Sequence, residues 1–157
     1  MIRCYLAIDS QNVSYRVFQD IMKHLNTSTR RITTGKVYMD LMNVSQGWIT
    51  EAIRHGVDPI GVYCHPGKDS LDHYLVSDLL GNHLLQKGCF DEVVLVTNDS
   101  DFRKTVLDIK PIVESTRLYC RTNSPKDLTA AFDSVYNYDL LDTNRDSDIN
   151  NKKRKRD

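Results

Sequence analysis

The sequence predicts an α/β fold: a single domain with a mostly parallel central sheet of four to five strands and helices on both faces. Three observations carry that expectation. Short runs rich in Val, Ile and Tyr alternate with stretches whose apolar residues recur at helical spacing, from one end to the other. Strand and helix in strict alternation imply right-handed crossovers and parallel strands. A length of 157 residues, 40% of them apolar and 27% charged, suits one core. Folding at this size buries roughly two-thirds of the unfolded chain's surface, so no disulfide or metal staple is needed.

In chain order, Ile2–Ile8 reads as the first strand and Val13–Leu25 as the first helix. A short strand at Lys36–Met39, a helix at Gln46–His55 and a strand at Ile60–Cys64 follow. The longest helix is expected over Leu71–Lys87, where Leu71, Leu75 and Leu79 form one ridge with Leu80 and Leu84 beside it. Ser70 or Asp69 is its candidate N-cap and Gly88 its stop. A strand at Glu92–Val96, a helix at Phe102–Ile109 and a strand at Arg117–Cys120 complete the alternation. Ser124-Pro125 then suits the cap and first turn of a short last helix through Phe132. From about Leu141 the apolar pattern ends. The domain is accordingly expected over 1–141 and a disordered polar tail over 142–157.

The longest apolar runs, such as Cys4–Ile8, reach five residues, whereas a membrane span needs roughly 20. The opening run stops at Asp9 before a secretory h-region can form. A nuclear or cytoplasmic protein is therefore expected, neither secreted nor in a membrane. The chain has 21 basic and 21 acidic residues. From Arg145 onward there are six basic and three acidic residues, which leaves 15 against 18 in the body. A mildly acidic body is not the face of a DNA-coating protein. The four cysteines form no CxxC pair and read as buried free thiols. A zinc site from Cys64 with His65, His73 or His83 is disfavoured, because adjacent strand residues point to opposite faces.

In an open parallel sheet, ligands bind beyond the carboxyl ends of the strands. Here those ends collect acids. The first strand runs into Asp9, Ser10, Gln11 and Asn12, and the second into Asp40. The third is followed by His65, Lys68, Asp69 and Asp72, and the fourth by Asn98, Asp99, Ser100 and Asp101. Any one of them reads as a helix cap. Together they read differently, because two carboxylates about 4 Å apart repel by roughly 4 kcal/mol at an effective dielectric near 20. A divalent cation turns that repulsion into binding, and magnesium suits carboxylate oxygens best.

Three segments carry a resemblance: Ile8-Asp9-Ser10-Gln11-Asn12, Lys68-Asp69-Ser70-Leu71-Asp72 with Asp78 beyond it, and Val94-Leu95-Val96-Thr97-Asn98-Asp99-Ser100-Asp101-Phe102. In order, spacing and context they resemble the NYN family of PIN-like nucleases over roughly residues 2–140. The resemblance implies a metal-dependent ribonuclease of PIN/NYN-like fold. Asp9, Asp72, Asp99 and Asp101 would be its catalytic, metal-holding acids and Asn12 their polar companion. Asp78 also matches, but six helical residues rotate it about 240° from Asp72, which leaves it a supporting role. Thr97-Asn98 stand where the family usually carries Ser-Gly; Asn tolerates a left-handed backbone, so the turn is expected to survive. The family's Lys-to-Asp spacing is one shorter than Lys68 to Asp72.

The expected chemistry is hydrolysis of an RNA phosphodiester by water with Mg2+ or Mn2+, leaving a 5′-phosphate and a 3′-hydroxyl. Lys68, Arg103 and Lys104 are candidates for neighbouring phosphates, and Tyr15, Trp48 and Tyr74 for base stacking on single-stranded RNA. Oligomeric state is left open. The alternative is an NYN-like module that binds RNA or protein without cutting. A haloacid-dehalogenase-like phosphatase needs a second Asp where Gln11 stands, and no Ser-His-Asp arrangement is visible. Lys152, Lys153, Arg154, Lys155 and Arg156 read as a nuclear-localisation or nucleic-acid patch.

Overall fold

The computed structural model describes residues 1–64, 70–85 and 90–141, with the backbone alone at 70, 72 and 82–85. The strands are β1 (Ile2–Asp9), β2 (Arg30–Asp40), β3 (Asp58–Val62), β4 (Glu92–Val96), β5 (Ser115–Cys120) and β6 (Ser134–Asn137). The helices are α1 (Phe18–Leu25), α2 (Gln46–Arg54), α3 (Ser70–Leu85), α4 (Phe102–Ile109) and α5 (Lys126–Ala130). The sheet order is β3-β2-β1-β4-β5-β6, and every neighbouring pair is parallel. The fold class matches the expectation, with six strands in place of four to five.

Strand alternation separates two cores. Tyr5 and Ala7 of β1 face one core with Leu71, Leu75 and Leu79 of α3 and Phe102 and Val106 of α4. Cys4, Leu6 and Ile8 face the other with Phe18, Ile21 and Leu25 of α1 and Trp48 and Ala52 of α2. Each helix buries an apolar stripe on one face of the sheet, so β1 and β4 are covered on both sides. Trp48 belongs to this packing. It is 2% exposed, donates its Nε1–H to the Val13 carbonyl at 2.9 Å and sits edge-on to Phe18. It is therefore a core residue, closed to base stacking.

Two strands differ from expectation for visible reasons. The first half of β2, Arg30 to Gly35, pairs with β1 alone, and β3 joins only from Lys36. This edge half carries Arg, Thr and Gly with Ile32 its one apolar residue, and it also holds a bulge opposite Cys4 and Tyr5. The four residues of β6 lie at the sheet edge and include polar Ser134 and Asn137. The helix expected from Val13 opens instead with a 3-10 turn at Tyr15–Val17, capped by Ser14 Oγ. Asn12 is thus not its cap. Ser124 does not cap α5 either, because Pro125 holds that position without a side-chain bond.

Candidate functional site at the sheet switch point

Strand order runs outward from β1 in one direction through β2 and β3, and from β4 in the other through β5 and β6. The crevice where the order reverses therefore opens between the carboxyl ends of β1 and β4. Asp9 is the last residue of β1, and Thr97, Asn98 and Asp99 follow β4 directly. The topology alone brings two distant acidic segments to one crevice.

Thr97 joins them. Its hydroxyl donates to Asp9 Oδ2 at 2.9 Å and accepts from the Asp99 backbone N–H at 3.1 Å. Asp9 is 1% exposed and also accepts from the Gln11 N–H (3.1 Å) and Asn12 Nδ2 (3.3 Å). Burial pushes the Asp9 carboxyl above its ordinary pKa; the three hydrogen bonds act the other way, and the charge of Asp99 adds to the rise. Asp99 Oδ1 accepts from the Asp101 N–H at 2.9 Å, which turns the chain into α4. Asp101 holds the N-cap position of α4 without a side-chain capping bond and is exposed.

Asn98 fixes the neighbouring loops. Its Nδ2 donates to the Asn12 carbonyl (2.9 Å) and the Tyr138 hydroxyl (2.7 Å). Its Oδ1 accepts from the Arg121 N–H (2.7 Å) and Ser124 Oγ (3.0 Å). Two donors and two lone pairs are all used. Among the described residues no non-glycine has positive φ, so Asn98 serves through its amide, and the left-handed turn expected there is absent. Thr97 and Asn98 escape sequence reasoning as site residues. The only signal was their departure from Ser-Gly, which marks the position without revealing the bonds.

Asp72 lies in the first turn of α3, where the backbone alone is described. Arg103 and Lys104 are exposed on the first turn of α4. Asp78 is engaged elsewhere, accepting from Lys36 Nζ at 2.9 Å and Tyr38 OH at 2.6 Å. Lys68 and the basic run 152–156 lie outside the described residues. Tyr15 and Tyr74 are 37% and 47% exposed, and Tyr63, which sequence reasoning passed over, is 58% exposed beyond β3. Among the described residues no three His, Cys, Asp or Glu side chains converge closely enough to hold a metal ion. The described donor set at the crevice is the carboxylates Asp9 and Asp99, hard oxygens of the kind magnesium and manganese take. Cys4, Cys64 and Cys120 are free thiols. No helix of the described residues is long and apolar enough to cross a membrane.

The crystal structure of a protein of unknown function from Vibrio parahaemolyticus superposes with a TM-score of 0.65 at 17% identity, covering 85% of this chain and 91% of that one. A glycinamide ribonucleotide transformylase from Symbiobacterium toebii aligns over 60% of this chain and 41% of its own, at 22% identity and a TM-score of 0.40. No curated protein sequence matches significantly. The model of the NYN domain matches residues 3–140, nearly the whole chain. With the acidic crevice at its sheet switch point, this chain belongs to the NYN domain family.

Proposed function

We propose that the protein is a metal-dependent ribonuclease, acting on single-stranded RNA through Asp9, Asp72, Asp99 and Asp101 with Asn12 as their companion. One observation carries the reading. The Asp9 carboxylate and the Asp99 backbone N–H share the Thr97 hydroxyl in the switch-point crevice, and neither acid has an ion-pair partner among the described residues. Elsewhere in the chain Asp78, Asp91 and Glu92 each take a Lys or Arg. Two carboxylates left without a protein cation fit an external one.

A Mg2+ or Mn2+ ion held by these acids would offset the charge of the scissile phosphate and lower the pKa of water. Thr97 holds one Asp9 oxygen and Asn12 also donates to it, so the carboxylate is oriented before anything binds. Asn98 locks the loops after β1, β4 and β5 to one another, which keeps the crevice from spreading. Arg103 and Lys104 stand at the start of α4, beside Asp101, available to neighbouring phosphates. The expected products carry a 5′-phosphate and a 3′-hydroxyl.

The test is cleavage of unstructured RNA with magnesium, with manganese and with EDTA, by wild type and Asp99→Asn. Asn keeps the Oδ1 that accepts from Asp101, so the fold should persist. Loss of a hard carboxylate removes several kcal/mol of stabilisation, and each 1.36 kcal/mol is tenfold, so cleavage should fall more than about 100-fold. Magnesium at about 100 times its Kd should stabilise wild type by roughly 2.7 kcal/mol and leave the variant unmoved. Unchanged cleavage by Asp99→Asn, in a preparation free of contaminating nuclease, sinks the reading. The second reading, a module that binds without cutting, is favoured by the absence of a three-acid group among the described residues. RNA binding without cleavage under any metal would establish it.

A further inference from the structure

We propose that the cleft between the β5–α5 loop and the edge strand β6 is a subsite for an unpaired nucleoside of the RNA, flanking the phosphate cleaved at the acidic crevice. The proposal rests on the ribonuclease reading above. The cleft is open to solvent, has a volume of about 680 Å3 and is lined by Asn123, Ser124, Lys126, Thr129, Val135 and Asn137 among others. Its size lies within the roughly 300–1,000 Å3 typical of small-molecule sites.

The hydrogen-bonding capacity left over in this cleft defines its ligand. Ser124 Oγ already donates to Asn98, Thr129 Oγ1 to the Lys126 carbonyl, and Thr122 gives both its donors to Asp139. Among the described residues, the Asn123 amide and the Lys126 ammonium have no hydrogen-bond or ion-pair partner. Asn137 has only the long contact of Cys120 Sγ to its Oδ1, at 3.7 Å. A carboxamide offers a donor and an acceptor in one plane, which matches the edge of a base. An ammonium matches a phosphate as a point charge. Val135, 37% exposed, adds an apolar surface against which a base face or ribose can pack. No carboxylate lines the cleft, in contrast to the crevice beside it.

Placement ties the cleft to the crevice. Ser124 lines the cleft and bonds Asn98, and Asn98 immediately precedes Asp99. β6 stands two strands from β4, which is roughly 10 Å at the usual spacing. A strand leaving the acidic pair across the Asn98–Ser124 bridge therefore meets the cleft within the next nucleotides. In RNA the base entering it has to be unpaired, since the deep, narrow major groove of an A-form helix keeps paired base edges from side chains.

The experiment uses the full chain, the exposed double variant Asn123→Ala/Lys126→Ala, and Val135→Trp, which fills the cleft from the edge strand. Binding of a fluorescein-labelled single-stranded oligoribonucleotide is read by anisotropy in EDTA, and cleavage of the same oligonucleotide is read in magnesium. Both variants should weaken Kd and raise KM about tenfold, the loss of one good contact, with kcat kept within about twofold. The double variant should also flatten the salt dependence by roughly 0.7 log units, one phosphate contact. Wild-type cleavage with unchanged Kd and KM in both variants overturns the cleft and leaves the ribonuclease standing. Affinity lost in both variants while wild type cleaves nothing overturns the ribonuclease, and the cleft is then an RNA-binding site alone. A kcat that falls with affinity, or a wild type that does not bind the oligonucleotide, overturns the proposal.

Discussion

Replacing Asp78 with Ala should cost stability rather than chemistry, and its partners set the size of the loss. Asp78 accepts from Lys36 and Tyr38 at 2.9 and 2.6 Å. Tyr38 is fully buried, with Tyr5 OH 3.0 Å from its own hydroxyl. A hydrogen bond to a charged group contributes about 1.5–3 kcal/mol. After the substitution Tyr38 still has Tyr5, and Lys36, with 17% of its side chain exposed, regains some water. The net loss is therefore about 3 kcal/mol, a fall in Tm of about 6–12 °C for a chain of this length. Burial alone would push the Asp78 carboxyl up, but the bonds from Tyr38 and Lys36 and the charge of Lys36 outweigh it and hold the pKa below its ordinary value. A depressed folded pKa means stabilisation that is present above the unfolded value of about 3.9 and lost as pH falls through the folded one. Urea midpoints of wild type and Asp78→Ala should thus differ most at pH 7, the gap narrowing as pH falls through the folded pKa. Cleavage at a temperature where both are folded should be nearly equal. An Asp78→Ala protein with unchanged Tm and tenfold lower turnover would refute this account and move Asp78 into the site.

Glu92 lies buried between Arg30 at 2.9 Å and Arg117 at 3.5 Å, so Glu92→Gln leaves two guanidiniums without their carboxylate. The expected cost is about 3–5 kcal/mol by urea denaturation, and a loss under about 1 kcal/mol would show that the pair contributes little net. Truncation after Leu141 removes Lys152 to Arg156 and none of the proposed catalytic acids. Saturated cleavage should survive, while RNA binding loses roughly 0.7 log units of salt slope per lost phosphate contact, nuclear import of a tagged protein weakens, or both. If neither the salt slope nor the distribution changes, the tail is only a solvated end.

Periodicity made the central elements legible. The expected spans for β4 and α4 agree with the structure to the residue, because both pack against a core and carry unbroken apolar patterns. The sheet edges were not legible, since the first half of β2 and all of β6 meet fewer neighbours and keep polar residues. At the site, the carboxylates Asp9 and Asp99 stood out by their place after apolar strands. The hydroxyl and amide that organise them did not. Thr97 joins Asp9 to Asp99, and Asn98 joins three loops and Tyr138. Both depend on partners far away along the chain, which spacing alone does not reveal. Asp78 shows the converse. It matches the motif, helix geometry turned it away from Asp72, and the side chain bonds Lys36 and Tyr38 of β2, partners that spacing could not name.

The charge pattern of the chain gives the acidic crevice its physical meaning. A raised folded pKa places Asp9 opposite to Asp78. The folded state gains from a neutral Asp9 at low pH and loses that gain as pH rises from the unfolded value through the folded one. Burial makes the charged form of Asp9 the costlier one within the fold. The protein pairs acids where stability requires it, as with Asp91 and Arg3 or Asp78 and Lys36. At the switch point it supplies a hydroxyl and two N–H donors to Asp9 and, among the described residues, no ion-pair partner to either acid. Neutral donors orient a carboxylate without cancelling its charge, so the field between Asp9 and Asp99 stays available to a cation. That is the arrangement the proposed metal-assisted cleavage would use. A carboxylate charge held there by neutral donors is the charge that would recruit the ion in the proposed reaction.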